Sequence, residues 1–181
     1  MGSEMCIRDS YGASTTFFDS VEEFLDRPLP CSQYGQAEAL SIRYGVAFID
    51  LLIEDRGANT TIILFHAAVD PSKTTLPVFV GRQTVEAIDA NLVYVSDPSL
   101  DLGASIGWFT GDETRPFQDD LVTCLSHILA SFYSDAPKTE LGRKAVFFGG
   151  SAGGFAAMYY SHRFPGSLAV VSNPQTHIGR Y

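Results

Sequence analysis

Between Lys144 and His162 the chain passes from an apolar run, Ala145-Val146-Phe147-Phe148, through Gly149-Gly150-Ser151-Ala152-Gly153 into a helix-like stretch. That stretch puts Phe155, Met158, Tyr159 and His162 on one face. A serine bracketed by glycines, set directly between a buried strand and a helix, is the G-x-S-x-G pattern in the context it requires. The reason is steric: a tight strand-to-helix turn brings two backbones together, so the flanking residues must lack bulk. Gly149, Ala152, Gly153, Gly154 and Ala156 all comply. Such a turn lifts the Ser151 hydroxyl above the sheet at the positive end of a helix dipole, where a developing oxyanion is stabilised. Other readings of the cluster are weaker. There is no G-x-G-x-x-G, and about 20 residues further on, where a dinucleotide site needs an acid, stands Asn173. No Gly-Lys-Ser/Thr follows, so a phosphate loop is missing. A glycine-rich turn with a merely structural serine remains the plain alternative.

The flanking sequence sets this motif in an alternating pattern. Ser20-Val21-Glu22-Glu23 has the form of a capping box, and Pro28 ends the short helix it opens. Arg43 to Ile53 reads as one or two strands closed by the polar stretch Glu54 to Asn59. Thr60 to Phe65 is β-branched and apolar on both faces, as a central parallel strand is, and Leu92 to Val95 repeats that character before Ser96-Asp97-Pro98. Arg82 to Ala90 is expected to hold a short helix. Phe117, Leu121, Val122, Leu125, Ile128, Leu129 and Phe132 recur at three- and four-residue steps, predicting a helix from Pro116 to Tyr133 with Asp119 and Asp120 in its first turn. Leu168 to Ser172 is expected to be a further buried strand. Strands alternating with helices predict an α/β fold with a mostly parallel sheet flanked by helices.

Composition narrows the functions open to such a fold. With 12 Lys and Arg against 21 Asp and Glu, the formal net charge is −9, unsuited to neutralising phosphates, so no nucleic-acid partner is expected. The apolar runs are strand-length and no membrane span is expected. Cys6, Cys31 and Cys124 form neither a disulfide framework nor a metal pattern, which fits a reducing, cytoplasmic compartment. Glu38, Glu54, Asp55 and Asp70 show no metal-ligand spacing. Neither a metal nor a cofactor is expected.

The strand-elbow-helix unit resembles the α/β-hydrolase superfamily over roughly Thr60 to Asn173. Phe65-His66-Ala67-Ala68 sits where that family carries a His-Gly-type loop. The resemblance implies Ser151 as nucleophile and an oxyanion hole made by the amides of Ala152 and of Ala67 or Ala68. Alanine in place of glycine after His66 departs from the family pattern and restricts φ. For His66, packing of the loop is favoured over action as a base. More narrowly, Gly149 to Ala157, Asn173-Pro174-Gln175-Thr176 and Ser96-Asp97-Pro98-Ser99-Leu100 are similar to bacterial hydrolase-like proteins of capsule, teichoic-acid and other surface-glycan assembly, and to accessory-secretion proteins. That implies an O-acyl esterase or acyltransferase acting on a glycan or glycoprotein. The rival implication is a non-catalytic binding or scaffolding module with glycan-assembly protein partners.

The superfamily order is serine, acid, histidine. After Ser151 the chain offers no Asp or Glu, and only His162 and His177. His162 lies too far along the helix, and His177 comes early for a base. Asn173 stands at a strand end where some members place an acid. Asp97 either lines the site or caps a turn; Trp108 and Phe109 form an aromatic wall or cover the sheet edge. The expectation is a C-terminally truncated three-layer sandwich, inactive as it stands, whose acid and histidine lie beyond Tyr181. The other end carries a different oddity. Met1 to Asp9 is similar, residue for residue, to a transposase-type sequencing adapter translated from a GTG start, and is expected to be an artefact. Residues 10–59 are then leading elements, and residues 60–181 an incomplete core.

Overall fold

All five residues of the strand Thr61–Phe65 are buried, and the sheet is built outward from it. The computed structural model describes residues 15–30, 35–70 and 72–180. The adapter-like Met1 to Asp9, with Cys6, lies outside the described residues, as does Cys31. In chain order the strands are β1 Thr15–Phe18, β2 Ala37–Tyr44, β3 Ala47–Glu54, β4 Thr61–Phe65, β5 Asn91–Ser96, β6 Ala145–Gly150 and β7 Leu168–Ser172. The helices are α1 Val21–Asp26, α2 Arg82–Val85, α3 Phe117–Phe132 and α4 Ser151–Arg163. The strands form one sheet in the order β1-β2-β3-β5-β4-β6-β7. β4 runs parallel to β5 on one side and to β6 on the other, and β6 parallel to β7; β3 alone is antiparallel to both of its neighbours.

Side-chain alternation assigns the two faces. On one, Ile63, Phe65, Val93, Val95 and Phe147 pack against Leu121, Leu125 and Ile128 of α3 and Ala156 and Tyr160 of α4, with Phe24 of α1 in the same cluster. On the other, Leu52, Ile62, Leu64, Leu92 and Tyr94 meet Val85 of α2 in a smaller cluster. The serine half of the capping box forms, with Ser20 Oγ accepting the Glu23 amide at 3.2 Å, while Glu23 reaches one residue further back and accepts from the Asp19 amide. The topology is α/β-hydrolase-like, a mostly parallel sheet flanked by helices.

Three expectations need correction. The Arg43–Ile53 segment belongs to a longer hairpin whose first strand starts at Ala37; Glu38 and Ser41 interrupt the apolar pattern there yet are buried. α4 does not bury Phe155, Met158, Tyr159 and His162. Its buried residues are Ala152, Gly153, Gly154, Ala156, Ala157 and Tyr160: the close approach of Gly153 to the Phe65 and His66 carbonyls calls for small residues in the first turns, while Tyr160 further along stacks on Phe65 in the core. β7 is not a buried strand either. It is the last strand of the described sheet, and Leu168 and Val170 are 64% and 49% exposed on the face opposite α4.

These burial differences carry a stability test. Leu121→Ala, at a fully buried core position, is expected to cost about 2–5 kcal/mol. Val170→Thr should stay within about 0.5 kcal/mol. Urea unfolding of the two variants checks this, and equal losses would contradict the assignment of the core.

Candidate active site

β4 connects to β5 on one side while its other neighbour, β6, continues to β7 on the opposite side. The carboxyl ends of β4 and β6 therefore flank a topological switch point, where α/β sheets place their ligands. Two of the expected segments meet at this place. Phe65 is in register with Gly149, so the His66 loop and the Ser151 turn leave the sheet side by side. Ser151, the first residue of α4, has φ 53°, a left-handed backbone that costs a non-glycine residue about 1–3 kcal/mol.

The glycines around it differ in why they are there. A Cβ on Gly149 would collide with the Gly153 carbonyl, and a Cβ on Gly153 would collide with the Phe65 carbonyl and lie 2.6 Å from that of His66. On Gly154 it would reach Pro174, 3.0 Å away. On Gly150 it would meet only the Ser172 carbonyl at 3.6 Å, an ordinary contact. The two outer glycines of the motif are thus steric necessities and the inner one is not. Gly153 seats the start of α4 directly on the backbone that leads into Ala67.

His66 is buried, with both ring nitrogens in use. Nε2 accepts the Asp97 backbone N–H at 3.0 Å, so it carries no proton; Nδ1 therefore holds the proton and donates it to the Ala67 carbonyl at 2.7 Å. Burial lowers its pKa and keeps the ring neutral. Val69 donates to the Ser105 carbonyl at 2.9 Å, fastening the same loop further on. Ala67 is half-buried and Ala68 exposed, and among the described residues neither amide has an acceptor; Ala152 is buried in the first turn of α4, where amides lack helical partners.

Asp97 is buried and caps the turn Pro98–Leu102, its Oδ1 accepting the Ser99 amide at 3.0 Å. Its Oδ2 accepts the amide of Phe109 at 2.8 Å, so it ties two loops together. Asn173, just past β7, is exposed with φ 45°. His177 is exposed and contacts Thr176 Oγ1 at 3.3 Å; His162 is exposed in the last turn of α4. Among the described residues, the Ser151 hydroxyl has no hydrogen-bond partner, and no His, Cys, Asp and Glu cluster could hold a metal. Burial pushes the Cys124 thiol up to about 12, so it stays protonated and is no rival nucleophile.

Sequence reasoning did not foresee Gln175 and Tyr160. Gln175 donates its amide to the Ser151 carbonyl at 3.1 Å and accepts from Trp108 Nε1 at 2.6 Å. Tyr160 donates its hydroxyl to the Phe109 carbonyl at 2.8 Å, which leaves Phe109 held from both sides. Phe109 is buried edge-on against Phe65, their ring centres 4.9 Å apart. The Asn173-Pro174-Gln175 run carried a family resemblance in the sequence but no sign of these contacts.

No family model matches the chain, and no curated protein matches it. Solved structures do. The capsule O-acetyltransferase of Neisseria meningitidis serogroup A is similar over 78% of this chain and 52% of its own, with TM-score 0.56 and 15% identity. The Glycosylation Associate Protein (Gap123) complex from Streptococcus agalactiae is similar over 73% of this chain and 23% of that one, with TM-score 0.53 and 13% identity. The chain thus spans about half the length of the first and less of the second. At these identities the likeness establishes the fold.

Two measurements test the geometry. Gly149→Ala and Gly153→Ala should each cost about 1–3 kcal/mol or more, since backbone must move; Gly150→Ala should stay within about 0.5 kcal/mol, and chemical denaturation that ranks Gly150 with the others would refute the distinction. For His66, the unfolded ring takes up a proton near pH 6.5 while the folded ring resists it. Its contribution to stability is therefore complete above about pH 6.5 and falls as pH drops through the window below that value. The urea midpoint should decline more steeply from about pH 7 to about pH 5 in the native chain than in His66→Asn; parallel declines would contradict a buried neutral ring.

Proposed function

We propose that Ser151 is the nucleophile of an acyl-transfer or ester-hydrolysis reaction. The observation that carries this reading is the left-handed backbone of Ser151 at the start of α4, enforced by glycines that nothing larger could replace. Strain kept at a residue whose hydroxyl does no structural bonding is characteristic of a functional position. Ser151 Oγ attacks an ester carbonyl, and its proton passes to a base. The carbonyl oxygen becomes an oxyanion bound by the amides of Ala152 and of Ala67 or Ala68. Collapse expels the alcohol, which takes up the proton and leaves an acyl-serine. Water then releases the acid, or a sugar hydroxyl takes the acyl group. This chemistry calls for neither a metal nor a cofactor. A serine hydroxyl needs a base; with His66 committed to its loop, the reading assigns base and acid to residues outside the described contacts.

For the substrate, we infer an ester of a surface glycan. Support comes from the names of the similar structures, a capsule O-acetyltransferase and a glycosylation-associated complex. A second reading is favoured by one observation, the lack of any base bonded to Ser151 among the described residues: a non-catalytic hydrolase-like module that binds protein partners in surface-polysaccharide assembly or accessory secretion. In either case we take the compartment to be the cytoplasm, with Cys124 as a buried free thiol. Among the described residues no helix is long and apolar enough to cross a membrane.

Covalent labelling separates the two readings. In the whole protein, a fluorophosphonate probe should label the native chain and fail on Ser151→Ala, as read by intact mass. Equal labelling of the variant would falsify the nucleophile assignment, and an unlabelled but folded native chain would favour the binding module.

A further inference from the structure

Trp108 and Phe109 are consecutive bulky residues with φ 55° and 57°, both in the left-handed region that side chains of this size avoid. The core accounts for Phe109. Its ring is buried against Phe65 and His66, its amide is held by Asp97 and its carbonyl by Tyr160. Packing does not account for Trp108. It is half-buried, and among the described residues its indole meets no aromatic ring; its one polar contact is the 2.6 Å bond from Nε1 to Gln175. That bond fixes the edge of the ring, and among the described residues no aromatic ring stacks on it. Through the Gln175 amide, the same link ends on the Ser151 carbonyl 3.1 Å away, so the indole stands one residue from the elbow. Gly107 lets this loop pack closely on the turn after β5, since a Cβ there would run into Ser99 and come within 2.8 Å of Asp97 Oδ2.

A strained, edge-anchored, half-buried indole with no aromatic partner, beside a nucleophile, is a surface for a flat, weakly polar partner. The axial C–H face of a pyranose ring is such a partner; a short acyl chain gains little from a plane this wide. We propose that Trp108 is the specificity-determining platform on which a sugar ring of the substrate stacks. This rests on Ser151 being the reacting residue, and it assigns the carbohydrate to the Trp108 side of Ser151.

The chain contains a single tryptophan, so indole fluorescence reports on this position alone. The probes are methyl glycosides and trisaccharides of glucose, galactose, mannose and their N-acetylamino analogues, with butyl acetate as the acyl control. The expected result is a saturable change in emission with at least one saccharide and none with butyl acetate. It should be the same in Ser151→Ala, which makes the readout independent of whether Ser151 reacts. Calorimetry should then show binding lost or weakened at least about tenfold in Trp108→Gly, because glycine adopts the positive φ without penalty and removes only the ring. In Trp108→Phe, which keeps a ring but not the Nε1 bond, affinity should largely survive. No saturable change with any saccharide overturns the platform and leaves the nucleophile to the labelling experiment. A response to butyl acetate alone overturns the carbohydrate assignment. Unchanged affinity in Trp108→Gly places the sugar elsewhere and also overturns it.

Discussion

The architecture turns on one close approach, that of the first turn of α4 to the carboxyl end of β4. Gly153 lies against the carbonyls of Phe65 and His66, and Gly149 against the carbonyl of Gly153, with no space for a side chain at either contact. Backbone packed on backbone at this density fixes the helix relative to the sheet more tightly than side chains do, because there are no rotamers to adjust. The Ser151 turn, the Ala67 loop and the small-residue face of α4 all follow from it. Phe155 and Met158, beside these small residues, stay half-buried, while Tyr160 further along the helix reaches the core.

Around this contact the loops are fastened by buried polar groups with every role assigned. His66 receives one N–H and gives one, and Asp97 receives two. Tyr160, inside the helix that Ser151 opens, reaches across to the Phe109 carbonyl. A polar network of this kind is stable when every member is satisfied and costly when one is missing. It also joins pieces of chain far apart in sequence: the β4 loop, the turn after β5 and the middle of α4 move as one body or not at all.

How much of this could be read from the sequence depended on the range of the interaction. The elbow was legible because its cause is local: strand, glycine, serine, glycine and helix are adjacent, and the steric rule acts between neighbours. The central strands β4 and β5 and helix α3 were legible from unbroken or periodic apolar runs. β7 was misread because an apolar run shows a strand and not its place in the sheet, and Leu168 and Val170 have no layer over them among the described residues. The face of α4 was misread because the close approach at Gly153 selects small residues in its first turns, and of its large residues Tyr160 alone is buried. Gln175 and Tyr160 act over separations of 67 and 51 residues, through contacts that no spacing rule encodes.

Gly150 now stands apart from its neighbours. A Cβ there would meet only the Ser172 carbonyl at ordinary contact distance, on extended backbone with φ −115°. Over evolutionary time this is a free letter inside an otherwise locked word. Drift from glycine to alanine at residue 150 sets a methyl group between the Ser151 turn and the end of β7 without disturbing the turn, so two descendants can differ there by a single codon and share the same fold.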